Sequence, residues 1–216
     1  MAPPPNQIIE HGLWSGNTGL VQLLGLCPLL AVSNNAVNAL GLGLATVLAL
    51  TCTNAAISSL RRLTTREIRI PAFVMIIAAV VTSIELAMHA FLPELHRVLG
   101  LFVPLIVTNC ALMGRAEAFA SRNAPARAAL DGFAIGTGFL GVLLALGLIR
   151  EALGQGSVFA GAGRLLHLPW LELEVSGYRG LLLAVLPPGA FFVLALLIAG
   201  KQKLAVRASG APYGKS

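Results

Sequence analysis

A chain of 216 residues with 56% hydrophobic and only 11% charged residues does not have the composition of a soluble globular protein, and we interpret it as an integral membrane protein. The formal net charge is +6, but the basic residues are scattered between apolar segments without interleaved aromatic side chains, which argues against a nucleic-acid-binding protein. The three cysteines lie inside apolar segments, unlike the paired cysteines of a small secreted domain.

Six apolar segments follow one another along the chain. They cover about 19–33, 37–59, 70–92, 99–113, 128–148 and 180–200. A helix needs ~20 apolar residues to cross a hydrocarbon core of about 30 Å, and four of the segments reach that length. The first and the fourth turn polar after about 15 residues. The sequence therefore predicts an all-α membrane protein with six transmembrane helices.

The two short segments occupy equivalent places, first and fourth, in two halves of three helices each. Because each half has an odd number of spans, the second half enters the membrane from the opposite side. We therefore predict two inverted repeats, at about 15–95 and 96–200, in a single membrane domain of residues 1–216 with a cytoplasmic tail at 201–216. Short, interrupted segments at matching positions of inverted halves indicate a site near the middle of the bilayer.

Each short segment carries a cysteine near a proline and polar side chains. In LLGLCPLLAVSNN, Cys27 directly precedes a proline. In LFVPLIVTNCALM, Cys110 follows Pro104 and the polar pair Thr108 and Asn109. A proline inside a helix removes a backbone hydrogen bond and clashes with the preceding turn. We therefore expect predicted helices 1 and 4 to be broken at these cysteines.

The distribution of Lys and Arg predicts the orientation of the chain in the membrane. With six spans, both termini lie on one side together with the second and fourth loops. That side carries eleven of the 15 basic residues, at positions 61, 62, 66, 69, 115, 122, 127, 201, 203, 207 and 215. The other side has only Arg97, Arg150, Arg164 and Arg179. The positive-inside rule then places both termini in the cytoplasm and the longest loop, about 150–179, outside.

The cysteines admit several interpretations. Cys52 lies in the unbroken stretch LALTCTNAAI, where a free cysteine is typically a small hydrophobic side chain. Inverted halves would instead bring Cys27 and Cys110 together, as neutral thiols, as a disulfide or as metal ligands, because bare thiolates are too costly in a low dielectric. Sulfur ligands suit iron, an iron-sulfur cluster or zinc. A [2Fe-2S] cluster takes four thiolates, so a second, similar subunit would have to complete one.

Four stretches of the sequence resemble a known family. They are LLGLCPLLAVSNNAVNALGLG, VTNCALMGRAEAFA, DGFAIGTGF and REALGQG. Over about residues 15–200, the chain resembles the E subunits of Rnf electron-transport complexes, also called Rsx, and the homologous D subunits of the sodium-pumping NADH:quinone oxidoreductase. The resemblance implies a multi-pass subunit of the bacterial inner membrane that has no independent turnover and belongs to a translocase complex.

The same resemblance implies a cofactor and its ligands. The subunit would pair with a homologous A subunit of opposite orientation, and the two would hold one [2Fe-2S] cluster with two cysteines each. By motif match, Cys27 and Cys110 are the ligands and Cys52 is not. The cluster would relay electrons across the membrane, between cytoplasmic iron-sulfur and flavin subunits and flavin subunits that face the periplasm. The B, C, D and G subunits would be further partners, and the complex would couple ferredoxin/NAD electron transfer to Na⁺ or H⁺ movement. Thr108 and Asn109 would tune the cluster through hydrogen bonds to sulfur.

Acidic residues in or near the membrane are a second group of candidates. Ionisable groups there are expensive and often functional, so Glu85 is a candidate for an ion path, with Asp131 as a related position. The alternative for Glu85 is a neutral or paired carboxyl near the outer interface, with His89 one turn away. We interpret Glu117 as a partner of Arg115.

Two glycine motifs in the fifth apolar segment are interpreted as structural. Gly136, Gly138 and Gly141 spell GxGxxG, but they lie within an apolar span with no preceding strand, so a dinucleotide site is set aside. The pair Gly132 and Gly136 forms GxxxG, which favours close packing against a neighbouring helix or a partner subunit. His96 is expected in a loop.

Two rival functions remain open from the sequence. Secondary transporters are also built from inverted repeats with broken helices, so a transporter is the main alternative. The third possibility is a scaffold subunit that carries no cofactor. The presence or absence of iron at the cysteines distinguishes the electron relay from both.

Overall fold

The computed structural model describes residues 4–61, 64–65, 68–158, 173–174, 180, 184 and 186–209. The helices in these ranges are α1 (Pro5–Glu10), α2 (Leu26–Val32), α3 (Ala36–Leu60), α4 (Arg69–Phe91), α5 (Pro93–Leu99), α6 (Pro104–Val107), α7 (Cys110–Arg115), α8 (Pro125–Gln155) and α9 (Pro187–Ser209). Helices α1 and α7 continue into π-helical turns, His11–Ser15 and Ala116–Ala120. Strands β1 (Ser157–Val158) and β2 (Leu173–Glu174) form a short antiparallel pair.

Four of the described helices are long and apolar enough to cross a membrane. They are Ala36–Leu60, Arg69–Phe91, Pro125–Gly154 and Pro187–Ala205. A fifth candidate consists of Pro93–Leu99 and Pro104–Ala120, which are bent by 64° relative to each other. The prediction of a helical membrane protein is thus confirmed, with four or five candidate spans in the described part of the chain, and the arrangement of six spans in inverted repeats stays a prediction.

The first predicted span, 19–33, is mostly not helical. Only its second part forms a helix, α2, which is too short to cross a bilayer, because residues 17–25 run through turns and bends. The chain instead begins with α1, which the sequence analysis did not predict. Its π-helical extension packs along α8, and the Asn17 amide that follows it donates to the Gly138 carbonyl at 3.1 Å.

Helices α3 and α8 pack against each other at the centre of the structure. An added Cβ at Gly132 would stand 2.6 Å from the Leu50 carbonyl oxygen, and one at Gly136 would stand 2.8 Å from the Val47 Cα. A side chain at either position would therefore separate the two helices. This confirms the close packing expected of the GxxxG pair, and the neighbour is a helix of the same chain.

The end of α8 differs from the sequence-based expectation. The fifth apolar segment was predicted to end at residue 148, with Arg150 in the following loop, but α8 continues through Gln155. Arg150 is only 2% exposed and Glu151 is fully buried. Hydropathy ended the predicted span at the first charged pair, whereas these two charged side chains are accommodated by polar partners inside the structure.

Both residues hold the turn that joins α2 to α3. The Arg150 guanidinium donates to the Ser33 hydroxyl at 2.7 Å and to the Leu30 carbonyl at 3.3 Å. A carboxylate oxygen of Glu151 accepts the N–H of Ala36, the first residue of α3, at 2.8 Å. Helix ends leave backbone groups without intrahelical partners, so α8 supplies those partners to the end of α2 and to the start of α3.

Several predictions fall wholly or partly outside the described residues. The long loop at 150–179 is described only at 150–158 and 173–174, and Arg62, Arg66, Arg164, Arg179 and Lys215 all lie beyond the described residues. The cytoplasmic tail at 201–216 stays a prediction; its described part, up to Ser209, continues α9 as a helix.

Candidate functional site

Cys27 is the second residue of α2. The helix begins after Gly25, whose φ of +76° lies in the left-handed region that glycine tolerates best. Pro28 therefore lies in the first helical turn, where a missing N–H costs no intrahelical hydrogen bond. We expected this proline to break a helix at the cysteine. In the structure, a helix instead begins one residue before Cys27.

Cys110 begins α7 in a similar way. Helix α6 ends at Val107, and the Asn109 side chain caps α7 by accepting the N–H of Ala111 at 2.9 Å. Pro104 is the first residue of α6 and thus also lies at a helix start. The interruption before Cys110 comes from a capped helix start after a short turn.

The start of α2 contacts the start of α7. An added Cβ at Gly25 would stand 2.8 Å from Asn109 Oδ1, so the residue two positions before Cys27 packs against the residue immediately before Cys110. Nearby, an added Cβ at Gly114 would stand 3.3 Å from the Leu24 side chain. The two cysteine-bearing helices therefore begin at one place in the structure, although 83 residues separate the cysteines in sequence (110 − 27).

Both thiols at this place are free and exposed. At the surface of a membrane protein, an exposed thiol can contact lipid, water or another subunit. In the described residues, no group of three or more His, Cys, Asp or Glu side chains is placed to hold a metal ion. Cys27 and Cys110 can therefore supply part of a ligand set at the surface, and the described part of the chain does not complete it.

The two residues expected to tune a cofactor differ in what they offer. Thr108 donates its hydroxyl to the Leu105 carbonyl at 3.3 Å. Asn109 is 1% exposed, and its amide nitrogen has no hydrogen-bond partner among the described residues. A buried donor without a partner is unusual, so Asn109 is the better candidate for a hydrogen bond to a group that the chain alone does not contain.

Cys52 lies apart from this site on the uninterrupted helix α3. Its side chain is exposed, and its interpretation as a small hydrophobic side chain stays a prediction. Helix α3 shows no break near it. Nothing in the described structure gives Cys52 a ligand role.

Glu85 belongs to a separate polar cluster. Its carboxylate lies 3.8 Å from the His96 imidazole, and the His96 ring meets the His89 ring edge to face at a centroid distance of 4.9 Å. The placement of His96 in a loop was wrong. It lies on α5, which starts at Pro93 directly after α4 and brings His96 back beside Glu85.

A second acidic residue, Asp131, is bound to Arg115. Two nitrogens of the Arg115 guanidinium contact the two oxygens of the Asp131 carboxylate, one pair at 3.0 Å. The expected pair of Arg115 with Glu117 does not form among the described residues, because positions i and i+2 do not face each other on a helix. The bidentate pair joins α7 to α8.

Helix α8 thus holds both cysteine-bearing helices through charged side chains. Arg150 binds the end of α2, and Asp131 binds the end of α7. Sequence reasoning missed both roles, since Arg150 was counted as a loop residue and Asp131 was considered only as an acidic residue in or near the membrane. The signal available in the sequence was the occurrence of Arg, Glu and Asp within or directly beside an apolar span, where charged residues need partners.

Comparison with known proteins gives one consistent result. A family model described as "Rnf-Nqr subunit, membrane protein" matches residues 6–198. A protein of Pseudomonas aeruginosa, named as the E subunit of an ion-translocating oxidoreductase complex, is 56% identical over 202 residues, 92% of this chain and 84% of that protein. Proteins of the same name are 55% identical in Thioalkalivibrio sulfidiphilus (93% and 90% covered) and in Escherichia fergusonii (90% and 86% covered).

Proposed function

Because the chain belongs to the Rnf-Nqr family and is a membrane component of an ion-translocating oxidoreductase complex, we propose that it relays electrons across the membrane through a [2Fe-2S] cluster shared with a homologous subunit. The observation that carries the proposal is the contact between Gly25 and Asn109, which brings together the helix starts that bear Cys27 and Cys110.

The residues present fit half of such a site. Two exposed thiols per chain match half of the four thiolates that a [2Fe-2S] cluster requires, and a homologous subunit can supply the other half. The buried Asn109 amide nitrogen, which lacks a partner in the described structure, lies directly before Cys110 and can donate to a cluster or ligand sulfur. With three cysteines in its sequence, this chain cannot provide four thiolate ligands, so a second subunit is needed to complete the cluster.

Each residue of the site then has a defined task. Cys27 and Cys110 bind iron as thiolates, and Asn109 donates a hydrogen bond that shifts the reduction potential. Arg150 and the Arg115–Asp131 pair keep the two short helices in place against α8. When bound, the cluster supplies a one-electron centre within the membrane, which divides one long electron transfer into two shorter ones.

The order of the helices supports two inverted repeats. The short helix that bears Cys27 precedes the long helix α3, and the short helix that bears Cys110 precedes the long helix α8. Helices α3 and α8 pack closely against each other, as corresponding elements of two related halves would do. We propose that this arrangement places the cysteines near the middle of the bilayer.

The partners and the orientation follow from the same proposal. A homologous A subunit of opposite orientation completes the cluster, and the B, C, D and G subunits carry flavins and further iron-sulfur centres. The complex couples ferredoxin/NAD electron transfer to Na⁺ or H⁺ translocation in the bacterial inner membrane. We propose that both termini are cytoplasmic. This is supported by Lys201 of α9 donating to the Trp14 carbonyl at 2.6 Å, a contact between the N-terminal segment and the last helix.

Cysteine substitutions in the assembled complex test the electron relay. Cys27→Ala or Cys110→Ala should remove the iron of one cluster and its electron paramagnetic resonance signal while the subunits remain together. Cys52→Ala is the matched control, because it removes an exposed thiol outside the site and should leave iron content and signal unchanged. Unchanged iron in both site variants would contradict the proposal and favour a secondary transporter or a scaffold role.

Glu85 is proposed to belong to an ion path. Its contact with His96 places a carboxylate beside two imidazoles on α4 and α5. Glu85→Gln should lower ion transport and leave electron transfer between the cofactors intact. Glu94→Gln is the control, because Glu94 lies on the same helix pair but is exposed and pairs with Arg97. Equal loss of transport and electron transfer in Glu85→Gln would rule out this role.

A further inference from the structure

We propose that a basic cavity at the arginine-rich end of the chain binds the phosphate group of an anionic membrane lipid. The cavity has a volume of about 540 Å³. It lies where α3 ends, where α4 begins and where the π-helical turn after α7 leads to α8. Its lining residues are Arg61, Thr64, Arg69, Phe73, Ser121 and Arg122.

The described residues that line the cavity carry a net positive charge. Among them are three arginines and no acidic residue. In the described part of the chain, none of these guanidiniums forms an ion pair, and Arg69 stacks over the Phe73 ring at 5.6 Å from its centroid. Helix α4 also begins here without a side-chain cap and without an acidic residue in its first turn. The unpaired guanidiniums and the uncapped start of α4 favour an anion.

The polar lining groups fit a phosphate in particular. A guanidinium presents a rigid fork of N–H donors that matches phosphate oxygens. The hydroxyls of Thr64 and Ser121 already donate to helix carbonyls, at 3.2 Å and 2.7 Å. The arginines are therefore the donors to the bound group, and their side chains set its position.

The surroundings of the cavity indicate that the phosphate belongs to a lipid. The cavity lies at the ends of two candidate membrane spans, the level at which lipid headgroups meet a protein. Apolar residues next to the cavity are exposed: the exposed fraction is 45% for Leu60, 54% for Ile68 and 58% for Ile70. They can contact the acyl chains of a lipid whose headgroup enters the cavity, whereas a free anion would gain nothing from them.

Lipid binding by the purified, assembled complex tests the proposal. After detergent washing, the complex is titrated with dioleoylphosphatidylglycerol or dioleoylphosphatidylcholine, and bound lipid is counted by native mass spectrometry. The combined variant Arg61→Gln, Arg69→Gln, Arg122→Gln should bind phosphatidylglycerol about a hundredfold more weakly, because each basic residue near a membrane surface contributes about fivefold to binding an anionic lipid. Arg127→Gln, an exposed arginine at the same end outside the cavity, should bind like the unaltered complex.

Several results would overturn the proposal. One is equal binding of the two lipids by the unaltered complex, and another is unchanged phosphatidylglycerol binding in the triple variant. If inorganic phosphate displaces the lipid at equal concentration, the cavity is a site for a free anion. If the triple variant loses another subunit while its lipid count stays the same, an acidic partner occupies the cavity. Should the triple variant fail to assemble, Arg122→Gln alone, at an exposed position, must still weaken phosphatidylglycerol binding by about fivefold.

Discussion

Replacing Gly25 by alanine tests the contact on which the candidate site depends. Gly25 has a φ of +76°, and a non-glycine residue in this left-handed region costs about 1–2 kcal/mol. The new methyl group would also stand 2.8 Å from Asn109 Oδ1 and 3.0 Å from Phe139 Cε2, and overpacking of a buried site costs about 1–3 kcal/mol. The expected loss in the free energy of unfolding is therefore about 2–5 kcal/mol.

The matched control is Gly141→Ala. Gly141 lies within α8, and an added Cβ there meets nothing within 4 Å. Alanine is favoured over glycine inside a helix by about 0.5–1 kcal/mol, so this variant should be as stable as the unaltered protein or slightly more stable.

Denaturation in mixed micelles, followed by circular dichroism, measures both variants. In the assembled complex, Gly25→Ala should also shift or weaken the resonance signal of the proposed cluster, because the substitution displaces the cap of the helix that bears Cys110. If the two alanine variants differ in stability by less than about 0.5 kcal/mol, the size expected of a surface substitution, the contact between the two helix starts is wrong.

Two further substitutions test how the helices are held together. Asp131→Asn should cost about 3–5 kcal/mol of unfolding free energy, because it leaves the Arg115 guanidinium without its counter-charge, whereas Glu117→Gln at an exposed position should change stability by no more than about 0.5 kcal/mol. If the two variants lose the same unfolding free energy in the same denaturation assay, the Arg115–Asp131 pair is contradicted. Gly132→Leu should separate α8 from the Leu50 carbonyl and prevent stable folding, measured as loss of a monodisperse peak in size-exclusion chromatography, and a normal peak would refute the close packing of α3 and α8.

Much of the local structure was predictable because its causes lie close together in sequence. Hydropathy identified the long helices, whereas the prolines near Cys27 and Cys110 were interpreted as helix breaks. The predicted helix boundaries differ from the structure where a residue type is compatible with more than one position in a helix. Pro28 was predicted to interrupt a helix but lies in the first turn of one, and the two situations differ only in where the preceding residues bend.

The sequence by itself determined the class of protein, since a chain this apolar and this poor in charge must bury its surface in a bilayer. It also identified the two cysteines as unusual, because each stands at an interruption of an apolar segment. Only the tertiary structure decided that Gly25 meets Asn109, that Asp131 pairs with Arg115, and that Arg150 is buried in α8. Each of these contacts joins residues that are distant in the chain or on different helices, and hydropathy and spacing carry no information about which helix faces meet.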